Sequence, residues 1–253
     1  MEKINCSFTL KHYFDVLTKI KDEYSICTVG EYKKLERVEK FLILRHDVDF
    51  SLEYALKLAK EEFKNKIKST YFILLHSQYY NPLDKKNTKI IKEISNLGHE
   101  IGLHYDTSFF PGESEKEIEF IKNEAKILEN IINKKIISVS QHIPSETRNI
   151  FTNLKQEGFI DSRDPDTTNQ VKYISDSGYY WREGCMCMHI KKFDKLQILT
   201  HPIWWINNLD TREKILQEFE NKEKKKIDLK INEYKIMVNR LLKKLKADKN
   251  ELR

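Results

Sequence analysis

Phe41-Leu-Ile-Leu-Arg-His-Asp-Val-Asp-Phe50 decides how the rest of the chain is read. Its four leading apolar residues suit a strand buried in a parallel sheet, which reads as a continuous hydrophobic run. The strand then ends abruptly in Arg45, His46, Asp47 and Asp49. In folds built on parallel strands, functional side chains gather at the carboxyl ends of those strands. Asp47 and Asp49 are two apart, so on an extended chain they point the same way. Like charges on one face repel unless a cation sits between or beside them. The pattern points to a metal site. The competing reading is a helix cap with a salt bridge to Arg45, since a helix is expected to begin near Ser51.

Outward from this strand, the chain alternates apolar runs with amphipathic segments. Before it, the spacing predicts a helix over 9–24 capped by Thr9, a short strand over 24–29 and a short helix or turn over 31–38. After it come a helix over 51–63, a strand over 69–75, a helix over 84–97 closed by Gly98, a strand over 99–104 and a helix over 113–132. A strand over 136–140 and a helix over 145–157, capped by Ser145, follow. Residues 161–193 read as irregular, and 196–200 as a last strand. Polar residues recur at the strand exits: Asp47, Asp49, His76, His104, His142 and His201. Such alternation gives parallel strands joined by right-handed crossovers, and a barrel delivering these groups to one mouth explains their recurrence.

The expected fold class is therefore α/β, an irregular (β/α) barrel with an added C-terminal helical segment. Residues 1–39 form a lead-in packed on the barrel, 40–206 the barrel, and 207–253 a C-terminal helix or helical hairpin. From Leu209 to Leu245 there is neither Pro nor Gly. Ile227, Ile231, Tyr234, Val238, Leu241 and Leu245 alternate spacings of four and three, a short heptad seam that suits self-packing or a homodimer through this helix.

The chain has 253 residues, of which 40% are hydrophobic and 33% charged, enough to bury a core and not the composition of a disordered chain. No apolar run reaches the ~20 residues of a membrane span. The first residues, Met1-Glu-Lys-Ile-Asn-Cys6, are polar and lack the core of a signal peptide, so the expected compartment is the cytoplasm. The formal net charge is +6, and residues 207–253 carry +5 of it (14 Lys and Arg against 9 Asp and Glu). Mixed Lys and Glu on a helix read as a solvated face, and no nucleic-acid partner is expected. Cys6, Cys27, Cys185 and Cys187 fit reduced thiols. Cys185-Met-Cys-Met-His189 alternates, which on a strand sets Cys185, Cys187 and His189 on one face. A zinc ion there lacks a fourth ligand, and an apolar-faced strand is the preferred reading.

Asp and His are suitable ligands for zinc and for harder divalent transition metals. The motifs that carry them resemble those of the polysaccharide deacetylases of the NodB-homology type, carbohydrate esterase family 4. Leu44-Arg-His-Asp-Val-Asp49 resembles the first motif. Gly98-His-Glu-Ile-Gly-Leu-His104 is close to the second and is the most specific match. Gln141-His-Ile-Pro-Ser145 stands where the third carries Arg and Pro, and Leu199-Thr-His201 resembles the last. The resemblance spans about residues 40–205. With His-Pro-Ile-Trp204-Trp205, it is similar to a cytoplasmic subgroup associated with surface-polysaccharide biosynthesis.

The resemblance implies a barrel of the NodB type and a metal-dependent hydrolase that removes an N-acyl group, acetyl first, from an amino sugar. The substrate would be a nucleotide-linked or lipid-linked precursor of a surface glycan. Asp47 would be the general base and His201 the general acid. Asp49 and His104 would hold one divalent metal, zinc first, with cobalt, manganese, nickel or iron as alternatives. The family places a further His four residues after the first of its second motif. Here Ser108 stands there, and His142 is the first candidate for the third ligand, ahead of Asp106 and His99. Tyr105, Trp181 and Trp204 could stack on sugar rings, and Arg182 could meet a phosphate or carboxylate. Two other readings stand beside this one. The same site could act on an ester, formamide or cyclic amide, or the barrel could be an inactive binding or scaffold module.

Overall fold

The structure is a computed structural model describing residues 6–35, 38–109, 114–143 and 150–251. The chain divides into two compact units, Met1–Asn208 and Leu209–Arg253. In the first, α1 (Leu10–Ile20) leads into β1 (Ser25–Cys27), and the deciding stretch forms β2 (Phe41–Val48), buried along its whole length. Then follow α2 (Leu52–Lys64), β3 (Thr70–Leu74), α3 (Lys85–Asn96), β4 (Glu100–Tyr105), α4 (Ser114–Ile132), β5 (Ser138–Gln141), α5 (Phe151–Gln156) and β6 (Ile160–Asp161). After α6 (Pro165–Thr168), β7 (Lys172–Ser175), β8 (Lys195–Thr200) and α7 (Pro202–Ile206) complete the unit. The caps follow the sequence. Thr9 accepts from the His12 amide, Ser51 from the Tyr54 amide, and Gly98 takes the positive φ that ends the turn after α3. The expected Ser145 cap lies outside the described residues.

The eight strands among the described residues are all parallel. Their order is β6-β5-β4-β3-β2-β8-β7, and β1 pairs with the amino-terminal half of β2 on the edge whose later half pairs with β3. Strands lie ~4.8 Å apart, so in a flat sheet β2 and β5 would be separated by ~14 Å. Yet the Arg45 guanidinium, on β2, donates to Ser140 Oγ at the end of β5 (2.7 Å) and to Ser162 Oγ just past β6. Only a sheet curled on itself brings those groups within reach of one side chain, which makes this a curled, barrel-like α/β fold.

Curling gives each strand an inside and an outside. Arg45 and Asp47 face in, and Asp47, Phe72 and Gly102 stand in one row across β2, β3 and β4. The Arg45 guanidinium lies 4.9 Å from the Phe72 ring, which floors the interior. A Cβ at Gly102 would come within 2.5 Å of that ring, so only glycine admits it. His46, Val48, Tyr71, Ile101, Leu103 and Tyr105 face out. All but His46 belong to the apolar layer beneath α2, α3 and α4, which stabilises the unit by removing those side chains from water.

One expectation is overturned. Cys185 to His189 is not a strand but a 3-10 turn (Met186–Met188), so alternation does not apply, and His189 Nε2 bonds instead to the Glu183 carbonyl (3.0 Å).

The second unit is dominated by one uninterrupted helix, α8 (Arg212–Glu251), of 40 residues. Ile227, Ile231, Tyr234 and Leu241 on it are exposed.

Candidate metal centre and active site

The carboxyl ends of β2, β4, β5 and β8 open into a cavity of about 890 Å³ lined by Asp47, Asp49, His104, His142 and His201 among others. Asp49 leaves β2 immediately after Val48, His104 sits near the end of β4, His142 follows β5, and His201 follows β8. Asp49, His104 and His142 each place one ligand atom within 4.8 Å of the other two. His104 Nε2 lies 3.4 Å from Asp49 Oδ1 and 3.6 Å from Asp47 Oδ2. Its Nδ1–H donates to the Ser140 carbonyl (2.8 Å), which fixes the ring and leaves Nε2 free to bind a cation. The His104 and His142 rings are 5.2 Å apart and nearly perpendicular.

Among the buried atoms of the cavity lining with no hydrogen-bond partner among the described residues are Asp49 Oδ1 and His142 Nδ1, on two of the three clustered donors. Buried polar atoms are nearly always paired, so unpartnered donors and acceptors around one point mark the place of a missing ligand. One carboxylate and two imidazoles suit a divalent transition metal with open positions, and the residues therefore fit such an ion.

The neighbouring groups are held in place. Arg45 Nη2 is forked over both oxygens of Asp47 (2.8 and 2.7 Å), and both residues are buried. His201 Nδ1–H donates to Asp176 Oδ1 (2.6 Å), and its Nε2 lies 3.6 Å from Asp49 Oδ2. Asp176 is fully buried and also accepts from the His201 amide (3.1 Å) and from Trp205 Nε1 (2.7 Å). Burial works against a charged His201, but Asp176 and Asp49 outweigh it and raise its pKa to about 9. His104 is also raised: burial opposes the charge, and Asp47 and Asp49 prevail. Burial pushes Asp49 up, yet His104, His201 and His142 hold it well below the usual carboxylate range.

The other sequence candidates fall elsewhere. Tyr105 faces outward with Ile101 and Leu103, is buried, and donates to Asp161 Oδ2 (2.7 Å). Trp204 is buried and sits edge-on to Tyr179, and Trp181 stacks on Phe8; neither lines the cavity. Arg182 does line it, and so does Arg163. His99 turns to the outer side of the sheet, bonding the Ala59 carbonyl (3.0 Å), so it stands away from the Asp49–His104–His142 cluster. Asp106 Oδ2 is 3.7 Å from His142 Nδ1, beside the third donor, and its Oδ1 accepts from the Ser108 amide (2.8 Å). Besides Arg163, sequence reading misses Asp176. It follows β7, whose four residues were read as part of an irregular region; recognised as a strand, β7 would have put Asp176 at a strand exit like the rest.

No protein-family model matches this chain, and no curated protein does. Several solved structures are similar to it. A mutant of BA3943, a CE4 family pseudoenzyme with restored enzymatic activity, is 15% identical, with a TM-score of 0.47 over 75% of this chain and 64% of that one. A family 4 carbohydrate esterase from Bacillus anthracis is 13% identical, with a TM-score of 0.46 over 85% and 86%. A family 4 acetyl xylan esterase from Clostridium thermocellum, in complex with cobalt, is 14% identical, with a TM-score of 0.46 over 64% and 73%. The chain thus spans less than two thirds of the length of BA3943. None of these likenesses carries the reading of the site, which rests on the side chains already described.

Proposed function

We propose that this chain is a metal-dependent hydrolase that removes an N-acyl group, acetyl first, from an amino sugar. The observation that supports it most is the convergence of Asp49, His104 and His142, with unpartnered atoms on two of them, between a tethered carboxylate and a tethered imidazole. Asp49, His104 and His142 would hold a divalent ion there, which would supply Lewis-acid activation of the amide and of the attacking water.

Each remaining role falls to a residue of this chain. Asp47, held by Arg45, takes the proton of the attacking water. His201, held through Nδ1 by Asp176, presents Nε2 to the cavity and protonates the departing amine. An amine is a poor leaving group unless protonated, so this step needs a positioned acid. Arg163 and Arg182 give the cavity two guanidinium groups suited to a phosphate or carboxylate on the substrate. We accordingly place the substrate among nucleotide-linked or lipid-linked precursors of a surface glycan, handled in the cytoplasm.

The test is acetate release from N-acetylated sugar nucleotides and oligosaccharides by zinc- or cobalt-loaded protein. Release that depends on added metal and disappears in His142→Ala supports the reading. Metal-loaded protein that releases acetate from none of them overturns it.

A further inference from the structure

Four residues distant in sequence meet outside the cavity. Cys6, His12, Cys185 and Cys187 each bring one ligand atom within 4.8 Å of the others. Cys6 Sγ lies 3.4 Å from Cys187 Sγ, and His12 Nε2 lies 3.2 Å from Cys185 Sγ. Cys6 precedes α1 and His12 is in its first turn, whereas Cys185 and Cys187 belong to the 3-10 turn some 170 residues later. Three of the four cysteines of the chain are thereby gathered at one point.

We propose that Cys6, His12, Cys185 and Cys187 bind one zinc ion in a Cys3His site. Zn–S bonds of ~2.3 Å and a Zn–N bond of ~2.05 Å at tetrahedral angles require S–S edges of ~3.8 Å and S–N edges of ~3.6 Å. The two contacts given above fall a few tenths of an ångström short of those edges, so small side-chain adjustments admit the ion. The Cys6–Cys187 separation is far longer than the ~2.05 Å of a disulfide. Three thiolates and an imidazole are a donor set that favours zinc, and binding releases the three thiol protons to solvent. His189, the ligand an alternating strand would have offered, is bonded to the Glu183 carbonyl and takes no part.

The site has a structural consequence. Between Cys6 and His12, Phe8 stacks on Tyr179 (4.2 Å between centroids) and packs on Trp205 (5.1 Å). Trp205 holds Asp176, and residues 177, 178, 182 and 183 line the cavity. The ion fastens the N-terminal segment to the stretch that walls the cavity.

Cobalt(II) added to the full-length protein decides the matter. The expected spectrum has intense thiolate-to-cobalt charge-transfer absorption in the near ultraviolet and the visible bands of a tetrahedral ion, at one sulfur-bound equivalent per chain. Cys185→Ser/Cys187→Ser is expected to abolish the thiolate charge-transfer absorption and Cys27→Ala to keep both features. Asp49→Asn also keeps them, which separates this site from the Asp/His centre. Wild-type protein that takes up cobalt without thiolate bands overturns the proposal, whether or not any variant folds. A Cys6–Cys187 disulfide found by mass spectrometry in the native protein also overturns it.

Discussion

The inner and outer faces of β2 carry similar residue types and account for them in opposite ways. Inside, Asp49 Oδ1 and His142 Nδ1 are buried with no hydrogen-bond partner among the described residues. Outside, Glu62 of α2 is fully buried and saturated. Its Oε1 accepts from Tyr13 (2.5 Å) and lies 3.0 Å from His46 Nε2, and its Oε2 accepts from Ser69 (2.6 Å) and Tyr71 (2.8 Å). His46 Nδ1 in turn meets Thr200 Oγ1 at 2.7 Å. A carboxylate–histidine cluster that is complete within the protein is structural, and one left incomplete is a place for a ligand. His46 on β2 and Asp49 just past its end belong to the two kinds.

An inner cluster that proved structural would erase the difference between the two faces. Asp49→Asn removes the carboxylate of the donor triad. Losing several kcal/mol of transition-state stabilisation corresponds to a rate reduction of roughly 10³-fold, to be read as acetate release. The metal-free variant should unfold closer to wild type than any variant of Glu62 does.

The second test removes the outer carboxylate. Glu62→Ala leaves His46, Ser69, Tyr13 and Tyr71 without their acceptor, an expected loss of about 3–5 kcal/mol in urea unfolding. A loss below about 1 kcal/mol would mean that the saturated cluster is not structural.

Acid sharpens the contrast. Burial alone would raise the Glu62 pKa, but His46, His99 and Ser69 outweigh it and bring it from 4.5 to about 2. A depressed folded pKa contributes stability that is fully present above the unfolded value. Wild type should therefore lose stability as pH falls from about 4.5 toward about 2, and Glu62→Gln should flatten that part of the profile. The smallest effect expected is that of Tyr13→Phe, which deletes one bond to the charged group at about 1.5–3 kcal/mol, read from the same unfolding curves.

Much of this division was legible in the sequence. The apolar run of β2, the paired carboxylates and the His at each strand exit led to the barrel and to its mouth. Period-two alternation also held an answer that went unused: Tyr105 is one residue from His104, so it must face the helices. Other parts depend on distance in sequence. Nothing near Arg45 announces Ser140 or Ser162, because that contact exists only once the sheet curls. Asp176 follows a four-residue strand too short for its pattern to stand out. Cys6 and His12 had no visible partners because those lie some 170 residues away.

The strand order carries a consequence for the chain as it leaves the ribosome. Strands β3 to β6 can add in sequence along one edge of β2, but its other edge waits for β8, whose last residue is Thr200. Until about residue 200 is translated, the strand bearing Arg45 and Asp47 presents a bare row of amide and carbonyl groups, a template for pairing with another nascent chain. The strand bearing Arg45 and Asp47 is thus among the first made, and its second edge is covered only when β8 arrives. That edge stays open while the chain from Val48 to Thr200 is made, on the order of 8–30 s at translation speeds of roughly 5–20 residues per second.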